Sequence, residues 1–240
     1  MEILITVCAR GGSKGIPDKN IKLINGKPLI FYTIHIAQQF KEAFENADIV
    51  LSTDAGKIKT VVGNLGFDID TSYTRPEQLA TDNAGKIGVI QDILYYSEGR
   101  NRKKYDIILD LDITSPLRNL TDLKKAFTML LNKPEAYNIF SVSPSNRNPY
   151  FNMVEAKEDG YFGLCKEGEF VSRQAAPKVY DMNASFYFYR KSFFEQNFQT
   201  AITDKSIVYE VPHSCFDLDH PVDFEFMSFL LNNNKLDFEL

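Results

Sequence analysis

The chain opens with Ile3-Leu4-Ile5-Thr6-Val7, which is followed by Cys8-Ala9-Arg10-Gly11-Gly12-Ser13-Lys14-Gly15-Ile16-Pro17-Asp18-Lys19-Asn20. The apolar first run predicts a strand buried on both faces. The second run carries three glycines, which allow close approach of an anion to the backbone and positive φ. It also carries the cations Arg10, Lys14 and Lys19. Because ligands of open α/β sheets bind at the carboxyl ends of strands, we interpret this run as a phosphate-binding loop for a triphosphate.

The spacing of this loop differs from the two common phosphate-binding motifs. It matches neither G-x-x-x-x-G-K-[ST] nor G-x-G-x-x-G. A tight surface turn with solvated charges is the alternative interpretation. We favour the phosphate-binding loop because Arg10 and Lys19 flank the glycines directly after the first strand.

Composition limits the classes of partner. The chain has 240 residues and a net charge of -5, which suits one α/β domain with a small appendage and argues against binding to nucleic acid or an anionic membrane. Its three scattered cysteines indicate reduced thiols. Because the sequence starts with strand one and shows no leader and no membrane-spanning run, we expect a cytoplasmic protein.

Strand-like and helix-like segments alternate from residue 1 to residue 143. After the first strand we predict strands over 48–54, 67–73, 106–112 and 138–143. Helices are predicted from Pro28, from an Asp54 cap to Gly63, from a Thr81 or Asp82 cap to about Glu98, and over 120–131. The alternation indicates an α/β fold with a doubly wound, mostly parallel sheet.

The pattern changes at residue 144. Two short strand-like runs flank Lys157-Glu158-Asp159-Gly160, which is a hairpin signal, and aromatic residues recur with little mass to bury them. We interpret 144–182 as a small β-rich insertion that packs on a second subunit, and folding back on its own sheet is the alternative. The core would comprise 1–143 and 183–240, with strands near 184–189 and 207–211 and a last helix from Pro221.

Asp217 and Asp219 form a carboxylate pair ahead of the last helix. In an extended segment their side chains emerge on one face about 7 Å apart and can share Mg²⁺, which takes one or two carboxylates plus substrate phosphates. The alternative is that Asp219 caps the helix and Asp217 is solvated. Asp110 and Asp112 have the same spacing, and Asp112 lies nearer the carboxyl end of its strand.

Several motifs lie in order along nearly the whole chain. They are Ala9-Arg10-Gly11-Gly12-Ser13-Lys14-Gly15 with Lys19-Asn20, Ser52-Thr53-Asp54, Arg75-Pro76, Thr114-Ser115-Pro116-Leu117-Arg118, Asn183-Ala184 and Asp217-Leu218-Asp219. Together they resemble the acylneuraminate cytidylyltransferases, the CMP-sialic acid synthetase family. The resemblance implies a Rossmann-like nucleotidyltransferase fold and a homodimer. It also implies transfer of CMP from CTP to the anomeric hydroxyl of a nine-carbon 2-keto sugar acid, with release of pyrophosphate.

The resemblance assigns the nucleotide side of the site by position. Arg10 and Lys19 would hold the triphosphate, and Lys19 is the candidate for stabilising the transition state. The remaining residues against the cytidine nucleotide would be Ala9, Gly11, Gly12, Ser13, Asn20 and Arg75.

The resemblance also assigns the metal and the sugar side. Asp217 and Asp219 would hold Mg²⁺, and we take Asp217 as a catalytic residue that helps remove the proton from the attacking hydroxyl. The residues expected to face the sugar acid are Asp112, Arg173, Asn183 and Tyr187. Arg173 suits a carboxylate because its planar fork can bind both oxygens.

Three positions differ from the family pattern. The usual sialic acid enzymes have a glutamine where Asp112 stands, a lysine where Phe151 stands and an arginine near Asp181. These changes remove cations from the sugar side, add apolar surface and add an acceptor. They favour a different nonulosonic acid, such as legionaminic acid. Sialic acid itself, another sugar nucleotidyltransferase reaction, a glycosyltransferase with Asp110 and Asp112 as its metal motif, and a non-catalytic nucleotide-binding protein are the alternatives.

Overall fold

A computed structural model describes residues 1–12, 15–81 and 83–240. The strands are β1 (Ile3–Cys8), β2 (Leu23–Ile24), β3 (Lys27–Pro28), β4 (Ala47–Ser52), β5 (Ile107–Leu111), β6 (Asn138–Pro144), β7 (Val154–Ala156), β8 (Phe162–Leu164), β9 (Tyr180–Arg190) and β10 (Ser206–Glu210). The helices are α1 (Leu29–Ala43), α2 (Gly56–Gly63), α3 (Lys86–Asn101), α4 (Leu120–Leu131), α5 (Lys191–Glu195) and α6 (Pro221–Asn232). Short 3₁₀ turns span Lys19–Ile21 and Glu77–Leu79.

Within the described ranges, six strands form the central sheet in the order β10-β6-β9-β5-β1-β4. β1 pairs in parallel with β4 and β5, and β10 pairs in parallel with β6. β9 runs antiparallel to both of its neighbours, β5 and β6. The expected mostly parallel sheet is therefore confirmed, with one reversed strand near its centre.

Helices cover both faces of this sheet, as the doubly wound fold requires. Side chains of α1, α2, α4 and α6 pack with Ile3, Ile5 and Val7 of β1 in one core. Side chains of α3 and α5 pack with Leu4 of β1 in the other. Because the strands alternate their side chains between the two faces, an apolar strand such as β1 is buried on both.

The segment 67–73 does not form the predicted strand. Apart from one parallel bridge between Val50 and Asp70, it lies outside the sheet. Oδ1 of Asp70 accepts hydrogen bonds from the backbone amide of Ser72, at 2.7 Å, and from its hydroxyl, at 2.5 Å. This local turn competes with ladder pairing and ends the strand-like geometry after one residue.

Two predicted helix caps are also wrong. Asp54 does not cap α2, which begins after Ala55, because its carboxylate accepts a hydrogen bond from Gly11 N instead. Thr81 does not cap α3, whose N-cap is Gly85, and Asp82 lies outside the described residues. α3 also continues past the predicted end near Glu98 and ends where Arg102 adopts φ of 52°.

The segment after β6 contains the predicted hairpin, in which β7 and β8 pair antiparallel. Several of its apolar side chains are exposed, among them Tyr161 at 74% and Phe162 at 69%. β9 starts at Tyr180, opposite Pro144, so sheet pairing resumes slightly before the expected core segment. The division into a core and an insertion stays a prediction.

None of the helices in the described part of the chain combines the length and the apolar composition that crossing a bilayer would require.

Candidate active site

A cavity of about 410 Å³ lies at the carboxyl ends of β1 and β5. It brings together side chains that are far apart in the sequence, because parallel strands present their carboxyl ends at one edge of the sheet. The residues expected at the site that line it are Arg10, Lys19, Asn20, Arg75, Asp112 and Asp219.

Two hydrogen bonds hold the loop after β1 in place. Gly11 N donates to Asp54 Oδ1 at 2.8 Å, and Asn20 Nδ2 donates to the carbonyl oxygen of Arg10 at 3.0 Å. Ala9 is fully buried, and its amide donates to the carbonyl oxygen of Ser52 at 2.8 Å. Ser13, an expected nucleotide contact, lies outside the described residues, as does Lys14.

Gly11 is required for space and not for its conformation. Its φ is not positive, contrary to the expectation from the sequence, but a Cβ at this position would lie 2.9 Å from Cβ of Ala55. Gly12 differs, because a Cβ there would meet no described heavy atom within 4 Å.

Lys19 lines the cavity and contacts the acidic segment. It opens a 3₁₀ turn that follows Asp18, whose φ of 54° reverses the chain. Its Nζ lies 2.9 Å from Oδ1 of Asp219, two hundred residues away. The structure therefore joins the basic loop to one member of the predicted metal pair.

Arg75 lies beside the loop and is 6% exposed. Its Nε donates to the hydroxyl of Ser52 and its Nη2 to the Ser52 carbonyl oxygen, both at 3.0 Å. The guanidinium is thus fixed at the end of β4, on the cavity wall.

The acidic segment before α6 is anchored through its central residue. Leu218 is fully buried, and its amide donates to the carbonyl oxygen of Thr114 at 2.7 Å. The amide of Asp219 donates to Asp223 Oδ2 at 2.9 Å, so Asp223 and not Asp219 serves the start of α6. The alternative role of Asp219 as the helix cap is therefore excluded.

Asp217 is the carboxylate whose environment fits a cation. Burial, followed by the negative charges of Asp112 and Asp219, raises the pKa of Asp217 to about 6. Its buried Oδ1 has no hydrogen-bond partner among the described residues. A buried oxygen without a donor and a neighbouring carboxylate are features that a divalent ion would satisfy.

Lys86, the first residue of α3, was missed by the sequence analysis. Its Nζ lies 2.8 Å from Asp110 Oδ2 and 2.7 Å from Asp112 Oδ2, and the residue lines the cavity. Burial alone would raise the pKa of Asp112, but Lys86 and two hydrogen bonds from Thr114 hold it at about 2. The space between these carboxylates, where a metal motif would bind its ion, is thus taken by an ammonium group.

Arg118 is a buried support behind this wall. It is 1% exposed and donates to the carbonyl oxygens of Asp112, Ser115 and Ser185 at 2.8–2.9 Å. The Thr-Ser-Pro-Leu-Arg motif therefore shapes the loop after β5 and ties it to β9.

The residues expected on the sugar side are not all gathered at the cavity. Tyr187 is 9% exposed, and its ring centroid lies 5.6 Å from Nζ of Lys86. Asn183 is used within the sheet, where Nδ2 donates to the Ser143 hydroxyl and Oδ1 accepts from the Ser141 hydroxyl. Arg173 lines a separate cavity of about 400 Å³ in the insertion. The roles of these residues stay predictions.

Comparison with known proteins bears on the activity. A family model described as Cytidylyltransferase matches residues 4–236. The chain is 39% identical over 236 residues to the post-translational flagellin modification protein B of Campylobacter coli, covering 98% of this chain and 97% of that protein. It is 37% identical over 235 residues to the CMP-N,N'-diacetyllegionaminic acid synthase of Campylobacter jejuni subsp. jejuni, again covering 98% of this chain and 97% of that protein.

A solved structure supports the fold. The CMP:2-keto-3-deoxy-manno-octonic acid synthetase complexed with CTP superposes with a TM-score of 0.68 over 98% of this chain and 100% of that chain. The sequence identity is 14%, so this similarity concerns the fold alone.

Proposed function

The chain belongs to the cytidylyltransferase family, and from this premise we propose that it transfers CMP from CTP to the anomeric hydroxyl of a nonulosonic acid and releases pyrophosphate. We propose legionaminic acid or a close relative as the acceptor. A relative that is 37% identical to this chain, with 97% of its length aligned, supports this choice because it is named for N,N'-diacetyllegionaminic acid. N-acetylneuraminic acid is the alternative acceptor.

One observation carries the proposed reaction, namely the contact between Lys19 Nζ and Asp219 Oδ1 at the mouth of the cavity. Lys19 comes from the glycine-rich loop and Asp219 from the acidic segment. Transfer of a nucleotidyl group requires in-line positioning and neutralisation of phosphate charge, which cations and a metal-holding carboxylate supply together. This contact supports the proposal that both kinds of group act at one site.

We assign separate roles to residues on the nucleotide side and to the residue that accepts the proton. Lys19 and Arg10 bind the triphosphate, and Lys19 stabilises the charge that develops as pyrophosphate leaves. Arg75 and Asn20 orient the nucleotide from the cavity wall. Asp217 helps to accept the proton of the attacking anomeric hydroxyl.

We propose Mg²⁺ as the cofactor, held by Asp217 and Asp219 together with substrate phosphate oxygens. When bound, the ion would neutralise phosphate charge and align the phosphoryl group for attack. Asp217→Asn should weaken binding of Mn²⁺, used as a paramagnetic probe, by at least about tenfold, because one of two charged ligands is lost. Asp204→Asn, at an exposed aspartate away from the cavity, is the control. Equal Mn²⁺ affinity in the two variants would rule out this metal site.

Pyrophosphate release tests the reaction. The purified protein is offered CTP, UTP, ATP and GTP with each of three sugar acids: sialic, legionaminic and pseudaminic. We expect release only with CTP and the highest kcat/KM with legionaminic acid. Clear preference for sialic acid would support the alternative acceptor, and release with UTP would indicate another sugar nucleotidyltransferase.

We propose that the protein acts as a homodimer in the cytoplasm. Exposed aromatic side chains on the β7–β8 hairpin support a protein partner at this surface. The free thiols Cys8, Cys165 and Cys215 agree with a reducing compartment.

A further inference from the structure

Lys86 has an unfavourable position that only its partners explain. It is the first residue of α3, where the helix dipole is positive and a cation is destabilised. The two carboxylates Asp110 and Asp112 lie 2.8 Å and 2.7 Å from its Nζ. Burial alone would lower the pKa of Lys86, but these charges hold it well above its usual value.

The other oxygens of the two carboxylates are also bound. Asp110 is fully buried, and its Oδ1 accepts from the Thr6 hydroxyl at 2.7 Å. Oδ1 of Asp112 accepts from the amide and the hydroxyl of Thr114, both at 2.8 Å. Lys86 and Asp112 remain partly exposed to the cavity, with side chains 36% and 23% exposed. The network therefore fixes one carboxylate at the cavity surface by means of a buried one.

We propose that Lys86 is a positioning residue that holds the Asp112 carboxylate in a fixed orientation. Lys86 is itself anchored by Asp110. The fixed Asp112 carboxylate then accepts a hydrogen bond from a hydroxyl or amide N–H of the sugar acid substrate. This inference rests on the proposed function. It assigns to Lys86 a role in acceptor binding that acts through Asp112 and not through contact with phosphate.

The charge of the network supports this assignment. One lysine and two aspartates leave it with a net negative charge, which repels triphosphate and the sugar carboxylate and favours a neutral donor. Asp112 also lines the same cavity as Lys19 and Asp219. It is therefore near the proposed reaction centre, where the acceptor must bind.

Steady-state kinetics with CTP and N,N'-diacetyllegionaminic acid test the inference. Lys86→Met alone would leave two carboxylates facing each other, so the principal variant is Lys86→Met/Asp110→Asn, which keeps the net charge. We expect KM for the sugar acid to rise at least about tenfold, as for loss of one charge-assisted hydrogen bond, with KM for CTP changed less than about twofold. The conservative single variant Lys86→Arg should keep most of the affinity for the sugar acid.

A double-mutant cycle separates positioning from direct contact. In an Asp112→Asn background the Lys86→Met/Asp110→Asn substitutions should change KM for the sugar acid less than about twofold, since the residue through which they act is gone. An undiminished effect in that background, or an equal rise in KM for CTP, would overturn the inference.

A matched lysine provides the control for folding and charge. Lys103 Nζ also joins two carboxylates, at 2.6 Å from Glu2 and 2.8 Å from Asp48, but at the opposite edge of the sheet. Lys103→Met should leave both KM values unchanged. If the unmodified protein released no pyrophosphate with any sugar acid, the proposed function would fail first, and this inference would fail with it.

Discussion

Gly11 shows how one missing side chain shapes the nucleotide loop. A Cβ there would press on Cβ of Ala55 at 2.9 Å, and that neighbour lies immediately before α2 and cannot move freely. The close approach also lets Gly11 N reach Asp54 at 2.8 Å. Any side chain at this position must therefore displace either the loop or the start of the helix.

We predict that Gly11→Ala lowers the free energy of unfolding by about 1–3 kcal/mol, as overpacking does, and raises KM for CTP by shifting the loop. Gly12→Ala is the matched control, because its Cβ would enter space that is open among the described atoms. Urea unfolding and CTP kinetics measure the two effects. Identical behaviour of the two variants would contradict the steric explanation.

Lys19 is the residue proposed to stabilise charge in the transition state. We predict that Lys19→Ala lowers kcat by about 10²- to 10³-fold, the usual cost of removing one electrostatic stabiliser of a transition state. Lys57→Ala provides a comparison, since Lys57 pairs with Asp18 beside the same turn and is 65% exposed. Pyrophosphate release gives the rates. A loss below about tenfold for Lys19→Ala would remove Lys19 from the catalytic residues.

A motif in the sequence points to Gly11 and Lys19, whereas no motif points to Lys86. Arg10, Lys19 and the glycines stand together directly after the first strand, so the sequence predicts anion binding there. Lys86 is a single cation whose partners lie 24 and 26 residues further on. The available signal was its place in the first turn of a helix, where a lysine requires nearby negative charge.

The start of α4 is held by several polar contacts. Asn119 and Asp122 form a capping box, which satisfies the first amides of the helix. Asp122 also accepts from the Tyr209 hydroxyl at 3.0 Å and lies 2.8 Å from His213 Nε2. This helix is thereby tied to β10 and to the segment after it. His213 therefore has a structural role at the start of this helix.

The contact between His213 and Asp122 predicts a pH dependence of stability. Burial lowers the pKa of His213, but the hydrogen bond to Asp122 outweighs burial and raises it. A raised folded-state pKa stabilises fully below about pH 6.5, and this contribution is lost as the pH rises through the folded-state value. Urea unfolding should show a larger loss of stability between about pH 6 and about pH 8.5 in the native protein than in His213→Gln. Equal losses would contradict this account.

The element that the sequence misidentified shows a limit of pattern reading. Residues 67–73 alternate in a way typical of a strand, but the Asp70 carboxylate binds the amide of Ser72 and turns the chain. The hydrophobic pattern indicates which side chains are buried. A local hydrogen bond from a side chain to the backbone can nevertheless determine the direction of the chain. α4 was predicted at its observed bounds because its Asn119 cap agrees with its apolar pattern.

At the scale of the whole molecule, we propose the β7–β8 hairpin as the surface that packs on a second copy of the chain. On the β7–β8 hairpin, Tyr161 and Phe162 are 74% and 69% exposed. We predict that Phe162→Glu halves the mass measured by sedimentation. Val222→Glu, at a position on α6 that is 63% exposed, should leave the mass unchanged. A native protein that sediments as a monomer would overturn the proposed dimer.

The fold class was predictable because alternating apolar strands and amphipathic helices permit few topologies. The place of β9 was not, since a reversed strand has the same apolar pattern as a parallel one. Its register opposite β5 and β6 depends on pairing across the inserted segment, which no local signal reports.

The reversed strand β9 has a consequence for how the polypeptide matures during synthesis. In the sheet β9 lies between β5 and β6, so these two strands are not joined until β9 is in place. During synthesis β9 leaves the ribosome about forty residues after β6. Until then β5 has an open edge, and Arg118 lacks its Ser185 partner. We therefore expect a nascent chain that ends before Tyr180 to be a chaperone client, with the cavity wall assembled only when the last quarter of the chain has been translated.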